Sequence, residues 1–379
     1  MRWPIAAGAL ALAASAAASD FESGRQQYQR TCAQCHGRNL VNSGVTVYDL
    51  RKFPPDQRER FFKALHHGKG NMPSFRDALD EQQMRSLWTY VRNHGEAPPA
   101  LTVCAADGNA PLSYRQKGEP RGLDIEVGKA IAKELGRDAK WLFYESEYDR
   151  DRTLAQEVNA LLSSGACELA SGYALFASDL GAPARPNART PDYQGAKPRR
   201  QRPFILLQKL AATRPYYALA MGVITRDPAM KVEKLTDLQN VKLGAVSGTM
   251  PASALMLYRN GLLTPGLVTL SQRENLLEAL EAGRFEATLA TLGSYDAYRL
   301  RNPETRLTRA AYVHPLRVNL GFVALESNGE VLSAANGVIE RSIAAGQLAS
   351  WAQAAGATWI APRPPDVVSG FGVQDLRAE

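Results

Sequence analysis

Residues 32–37 read CAQCHG, and this stretch decides how the chain is built. Two cysteines stand three apart, and a histidine follows the second. Three chemistries use such a pattern: a redox dithiol, half of a zinc site, or a haem anchor. The chain holds four cysteines, Cys32, Cys35, Cys104 and Cys167. A structural zinc site draws four ligands, usually from two knuckles, and no second C-x-x-C exists here. A thioredoxin-like dithiol sits in a βαβ unit, whereas the preceding FESGRQQYQRT (21–31) reads as one polar helix. C-x-x-C-H is the attachment signature of haem c. Two thioethers would hold the porphyrin on Cys32 and Cys35, and His36 would be carried beneath the iron.

The sixth iron ligand should lie downstream. The stretch HHGKGNMPSF (66–75) places Met72 in a Gly/Pro-rich loop that cannot be helical. A soft thioether opposite a histidine raises the reduction potential and suits electron transfer. His66 and His67 precede the same turn and leave bis-histidine ligation open. In DEQQMRSLWTYVRNH (80–94), Met84, Leu87, Trp88 and Val91 recur at helical spacing, with Asp80 as the expected N-cap. Met84 belongs to that apolar face rather than to iron. His94 and His314 read as surface or structural histidines.

Residues 21–95 resemble a class I c-type cytochrome. The resemblance rests on the helix ending in CAQCHG, the middle helix PDQRERFFKALHHG (55–68), the methionine loop, and a closing helix with Trp88 and Tyr90. It implies that the first and last helices cross, with Gly24 and Tyr28 meeting the last helix. SGVTVYDLRKF (43–53) is similar to cytochromes that serve quinoprotein alcohol dehydrogenases.

The surroundings agree with an exported chain. The first 20 residues, MRWPIAAGALALAASAAASD, are one arginine and an Ala/Leu run ending in small residues, as in a signal peptide over 1–18. No later stretch is long and apolar enough to cross a bilayer. The 379 residues suffice for two or three domains, and an apolar content of 45% supports packed cores. The formal net charge is +7. An exported chain does not meet nucleic acid, so this charge suits an acidic protein surface, a membrane surface, or solubility alone.

Composition changes after the linker at 96–100. LTVCAADGNAPLSY (101–114) is a strand and a loop, RGLDIEVGKAIAKELG (121–136) a helix, KWLFYE (140–145) a strand. TLAQEVNALLSSGACELASGY (153–173) adds a helix and a third strand. Alternating strands and helices mean a parallel sheet covered on both faces. The pattern returns in VKLGAVSGTMPASALMLYRNG (241–261) and NLLEALEAGRFEATLATLGSYDAYRL (275–300). Residues 101–362 resemble a type II periplasmic solute-binding protein. TRPYYALAMGVITR (213–226) and VNLGFVALES (318–327) are similar to its two lobe crossings. The expected layout is a cytochrome domain over 19–95 and a two-lobe α/β domain, followed by a tail over 363–379. Lobe 1 takes about 101–218 and 322–362, and lobe 2 about 222–318.

Cys104 and Cys167 also resemble the binding-protein-like family associated with quinoprotein dehydrogenases. That resemblance implies a Cys104–Cys167 disulfide between neighbouring first and third strands, with two free thiols as the other reading. Cleft candidates are Asp107, Tyr114, Tyr173, Thr291, Tyr295 and the turn Ser247–Gly248–Thr249, whose N–H groups suit an anion. Amino-acid binders resembling this domain place an acid where Thr291 stands and an arginine in a short stretch after the third strand. Here that place is taken by a long insert, and within 182–214 there are eight Lys/Arg and one acid, Asp192. It reads as a docking surface for an acidic partner or as a solvated basic loop. No catalytic constellation is visible, so an electron carrier is expected rather than an enzyme. The leading expectation is a periplasmic carrier with one covalent haem c, taking electrons from a quinoprotein alcohol dehydrogenase that the larger domain docks or assists, or from another periplasmic redox protein. The alternative is a solute-binding receptor carrying a redox-active haem domain, with a small-molecule ligand in the cleft.

Overall fold

The computed structural model describes residues 20–42, 47–147 and 153–378. The signal-peptide expectation for 1–18 and part of the SGVTVYDLRKF stretch lie outside these residues. The chain divides into two compact units, with the break in sequence between Pro99 and Ala100.

The first unit is built on three helices: α1 (Asp20–Thr31), α2 (Arg58–His67) and α3 (Glu81–Arg92). Asp80 caps α3 through a reciprocal pair: Gln83 N donates to Asp80 Oδ1 at 2.7 Å, and Asp80 N donates to Gln83 Oε1 at 2.9 Å. Met84, Leu87, Trp88 and Val91 are buried, as their spacing requires. Helices α1 and α3 touch through Gly24: a Cβ there would meet the Ser86 carbonyl oxygen at 1.9 Å. The bare glycine lets Tyr28 and Phe21 pack on Tyr90, with ring centroids 5.1 and 5.4 Å apart. Phe61 and Trp88, 5.2 Å apart, anchor the other end of this core.

The second unit carries a continuous mixed sheet. Its first half comprises β1 (Leu101–Ala106), α4 (Leu123–Glu134), β2 (Ala139–Glu145), α5 (Leu154–Ser163), β3 (Leu169–Ala174) and the short β4 (Leu210–Ala212). The chain then crosses on β5 (Tyr217–Thr225). The second half comprises β6 (Leu243–Val246), α6 (Met250–Leu257), β7 (Leu267–Leu270), α7 (Leu276–Glu281), β8 (Ala287–Thr291) and α8 (Leu292–Arg301). It returns on β9 (Thr308–Leu325), and α9 (Gly329–Ala344) and α10 (Gln347–Ala354) close the first half.

The strand order is β7-β6-β8-β5-β9-β3-β1-β2. Within each half the first strand lies between the second and third, in parallel. A crossing strand then pairs antiparallel with the third. This repeated order, with two antiparallel crossing strands, is the two-lobe arrangement of a type II binding-protein-like domain. The crossing strands pair over Tyr217–Thr225, and their register shifts around Gly222. β9 begins well before the crossing expected at 318–327, because its first half also serves the lobe 2 sheet.

Two further features differ from the sequence reading. The basic insert is partly folded rather than a plain solvated loop. Asn187–Ala188 pairs with Ile205–Leu206, and Arg202 is buried, donating to Thr190 O at 2.7 Å and pairing with Glu147. Arg199 also reaches Glu147, at 3.1 Å. Arg202 is therefore spent inside the lobe, and the part-exposed Arg199 is tied to the same carboxylate. The segment expected as a tail is likewise anchored, ending in a helical turn at Val373–Leu376.

Candidate functional site

The haem-binding candidates come together on the first unit. Cys32 closes α1, and Ala33–His36 forms a further helical turn, stopped by Gly37. Gly37 has φ +79°, and a Cβ there would meet the Val41 carbonyl oxygen at 1.8 Å, so only glycine fits this exit. The Tyr28 hydroxyl donates to Gly37 O at 2.8 Å and ties the turn to the helix core. Cys32 and Met72 both pack against the core cluster of Tyr28, Phe61, Leu65 and Trp88. Cys35 is exposed.

Histidine orientation is the most informative feature. His36 Nδ1 lies 3.1 Å from the Tyr48 carbonyl oxygen. A carbonyl only accepts, so the proton resides on Nδ1 and the Nε2 lone pair is left for a metal. Asn42 Nδ2 donates to His36 O at 3.2 Å and to Tyr48 O at 3.3 Å, bracing the same loop. Sequence reasoning missed Tyr48 and Asn42, since a carbonyl partner leaves no mark on residue type.

Met72 is presented by a tight turn. Lys69 N donates to Met72 O at 3.0 Å, and Met72 N to Lys69 O at 3.1 Å. Gly68 and Gly70 take φ of +71° and +59°. His66 Nε2 lies 3.3 Å from Glu81 Oε1, so that imidazole is engaged on α3, and His67 is exposed. His94 is exposed and His314 is wholly buried.

Burial, and secondarily Cys35, pushes the Cys32 thiol up to about 12. A reactive C-x-x-C dithiol needs the opposite shift. Among the described residues no group of three or more His, Cys, Asp or Glu side chains gathers as a metal site. The residues present fit a covalently held haem: two thiols one helical turn apart, a histidine with its free nitrogen fixed, and a thioether packed on the same core.

In the second unit Cys104 and Cys167 form a disulfide, with Cα atoms 5.7 Å apart across the β1–β3 neighbourhood. The cleft candidates fare differently. Asp107 follows β1 but is held by Arg115, whose Nε donates to it at 2.9 Å. Tyr114 is half-buried on a small hairpin. Tyr173 is buried, its hydroxyl donating to Asp179 O at 3.1 Å. Ser247, Gly248 and Thr249 form the turn after β6: Gly248 has φ +75°, and Thr249 caps α6 while its Oγ1 donates to Val246 O at 2.7 Å. Thr291 caps α8, its side chain accepting from Ser294 N. Tyr295 does not face the cleft. It is buried in its own lobe's core, and its hydroxyl donates to Leu307 O at 3.0 Å.

Comparison with known proteins divides along the same line. A family model described as cytochrome c oxidase, cbb3-type, subunit III, matches residues 19–91. Cytochrome c6 of Aphanizomenon flos-aquae is 35% identical over 77 residues, which cover 19% of this chain and 88% of that protein. Quinohemoprotein alcohol dehydrogenase ADH IIB of Pseudomonas putida is 31% identical over 80 residues, covering 20% of this chain and 11% of that enzyme. Among solved structures, the open second substrate-binding domain of Lactococcus lactis GlnP overlaps 67% of this chain and 94% of its own, with 17% identity and a TM-score of 0.48. The unliganded L-cystine solute receptor of Neisseria gonorrhoeae overlaps 70% and 96%, with 18% identity and a TM-score of 0.47.

Proposed function

Because the chain belongs to the c-type cytochrome family through its first domain, we propose that it is an exported one-electron carrier with a single covalent haem c. Cys32 and Cys35 would hold the group as thioethers, and His36 and Met72 would ligate its iron. When bound, the haem supplies a one-electron iron couple. The observation that carries this reading is the His36 ring, held at 3.1 Å by the Tyr48 carbonyl with Nε2 left free. That contact fixes the tautomer and raises the basicity of the ligating nitrogen. A thioether ligand from Met72 would favour the reduced state, and Met72 packs, partly buried, against the apolar core.

The donor in this reading is a quinoprotein alcohol dehydrogenase in the periplasm. Two features support it: the stretch shared with a quinohaemoprotein alcohol dehydrogenase, and a second domain that resembles the companion family of such enzymes. That domain docks the dehydrogenase rather than collecting solutes. Neither of two candidate positions offers a free acid to an amine: Asp107 is paired with Arg115, and Thr291 caps a helix. Lys197 and Arg200 are exposed on the basic insert and suit an acidic partner surface.

Stopped-flow mixing of the full chain with reduced dehydrogenase from the same organism tests this. Reduction should be fast, should slow as salt is added, and should slow severalfold in K197E/R200E at low salt. Equal rates for parent and variant, with no salt dependence, would remove the docking role. Tight calorimetric binding of a free amino acid would replace it with the receptor reading.

A further inference from the structure

In open α/β sheets ligands bind outside the carboxyl ends of the parallel strands. In lobe 1 the segment leaving β3 is Leu175–Phe176–Ala177, and in lobe 2 the segment leaving β6 is the Ser247–Thr249 turn that starts α6. Residues 363–376 touch the first of these segments and the helix that follows the second. Asn319, 5% exposed in the crossing strand β9, donates through Nδ2 to the carbonyls of Arg363, Pro365 and Asp366 at 2.8, 3.1 and 3.2 Å. Next, Val368 forms a single parallel β-bridge with Phe176 of lobe 1. Val368 N donates to Leu175 O at 3.0 Å, and Ala177 N donates to Val368 O at 2.9 Å. Phe371 then sets its ring against Phe176, with centroids 5.5 Å apart, and also packs on the lobe 2 core with Leu376. The Val373–Leu376 turn lies on α6.

We propose that residues 363–376 are the resident occupant of this cleft: an internal peptide ligand that bridges both lobes, holds them in one arrangement and denies the site to free solutes. The recognition is a main-chain β-bridge plus apolar anchors, a short form of the edge pairing by which sheets take up extended peptides. Lobe 1 supplies the main-chain edge, lobe 2 the apolar seat, and Asn319 the pin at the crossing. Being tethered, the occupant acts at high effective concentration, so a solute with ordinary affinity does not displace it. This inference stands on the second domain's fold alone and is independent of the haem reading.

Hydrogen exchange on the haem-loaded full chain tests it, with two variants that loosen the tail at different places. F371A/L376A removes the lobe 2 anchors, and N319A removes the pin. In each, exchange at Ala177 and Val368 should rise by about tenfold, the loss expected for a contact of this kind. Exchange across Leu101–Ala106 should stay as in the parent. A synthetic peptide of residues 361–378 should bind F371A/L376A and not the parent chain. Unchanged exchange at Ala177 and Val368 in both variants would overturn the proposal. So would equal peptide binding by parent and variant. If F371A/L376A also exposes Leu101–Ala106, N319A decides alone: faster exchange at Ala177 supports the proposal, and parent-like exchange overturns it.

Discussion

Replacing Gly24 by alanine tests the helix crossing that supports the haem site. The added Cβ would stand 1.9 Å from the Ser86 carbonyl oxygen and 2.5 Å from its carbon. A carbon–oxygen contact needs about 3.3 Å, so α1 and α3 must part by roughly 1.4 Å there. The obstacle is helix main chain, which cannot swing aside as a side chain would. Parting the helices loosens Tyr90 from Phe21 and Tyr28. Overpacking of this kind costs about 1–3 kcal/mol. Alanine returns about 1 kcal/mol of helix propensity. With main chain as the obstacle, the cost lies at the upper end and the net loss is about 2 kcal/mol. For a domain of this size that lowers the melting midpoint by roughly 10 °C. Melting followed at the haem Soret band reports on the first domain alone. A midpoint equal to the parent's would refute the close crossing.

Cys104→Ser together with Cys167→Ser opens a crosslink spanning 63 residues. Chain entropy puts that loss at about 4 kcal/mol, read as a lower urea midpoint of the second domain; an unchanged midpoint would show the bridge to be thermodynamically idle. Asp124 is wholly buried at the start of α4, and Tyr216 donates to its Oδ1 at 2.6 Å. Burial lifts its pKa from an ordinary 3.8 to about 6, the Tyr216 hydrogen bond opposing the shift. The folded form therefore holds the proton more tightly than the unfolded chain. Stability falls as pH rises from about 4 to 6, by about 3 kcal/mol in all. Asp124→Asn should flatten that slope in urea titrations run across this range, and an unaltered slope would assign it elsewhere.

The features legible in the sequence were those encoded by local spacing. CAQCHG, the Asp80/Gln83 cap and the apolar face of α3 each lie within a few residues. The alternation of strands and helices gave both lobes. Illegible features depend on a partner distant in sequence or on a main-chain group. Tyr48 acts through its carbonyl, twelve positions from His36. Asp107 looked available until Arg115 closed on it, and Tyr295 looked cleft-lining until Leu307 took its hydroxyl. The Gly/Pro-rich run after 361 has the composition of a free end, yet Leu175, Ala177 and Asn319 hold it.

The most direct test of the haem reading is the optical spectrum of the oxidised, exported full chain beside that of Met72→Ala. The parent should retain one haem per chain through acid-acetone extraction, because thioethers to Cys32 and Cys35 do not extract. It should also show the far-red band of sulfur-to-ferric-iron charge transfer. Met72→Ala should keep the covalent haem and lose that band. Haem that extracts freely from the parent, or a far-red band that survives in Met72→Ala, would contradict the account and return the sixth position to His66 or His67.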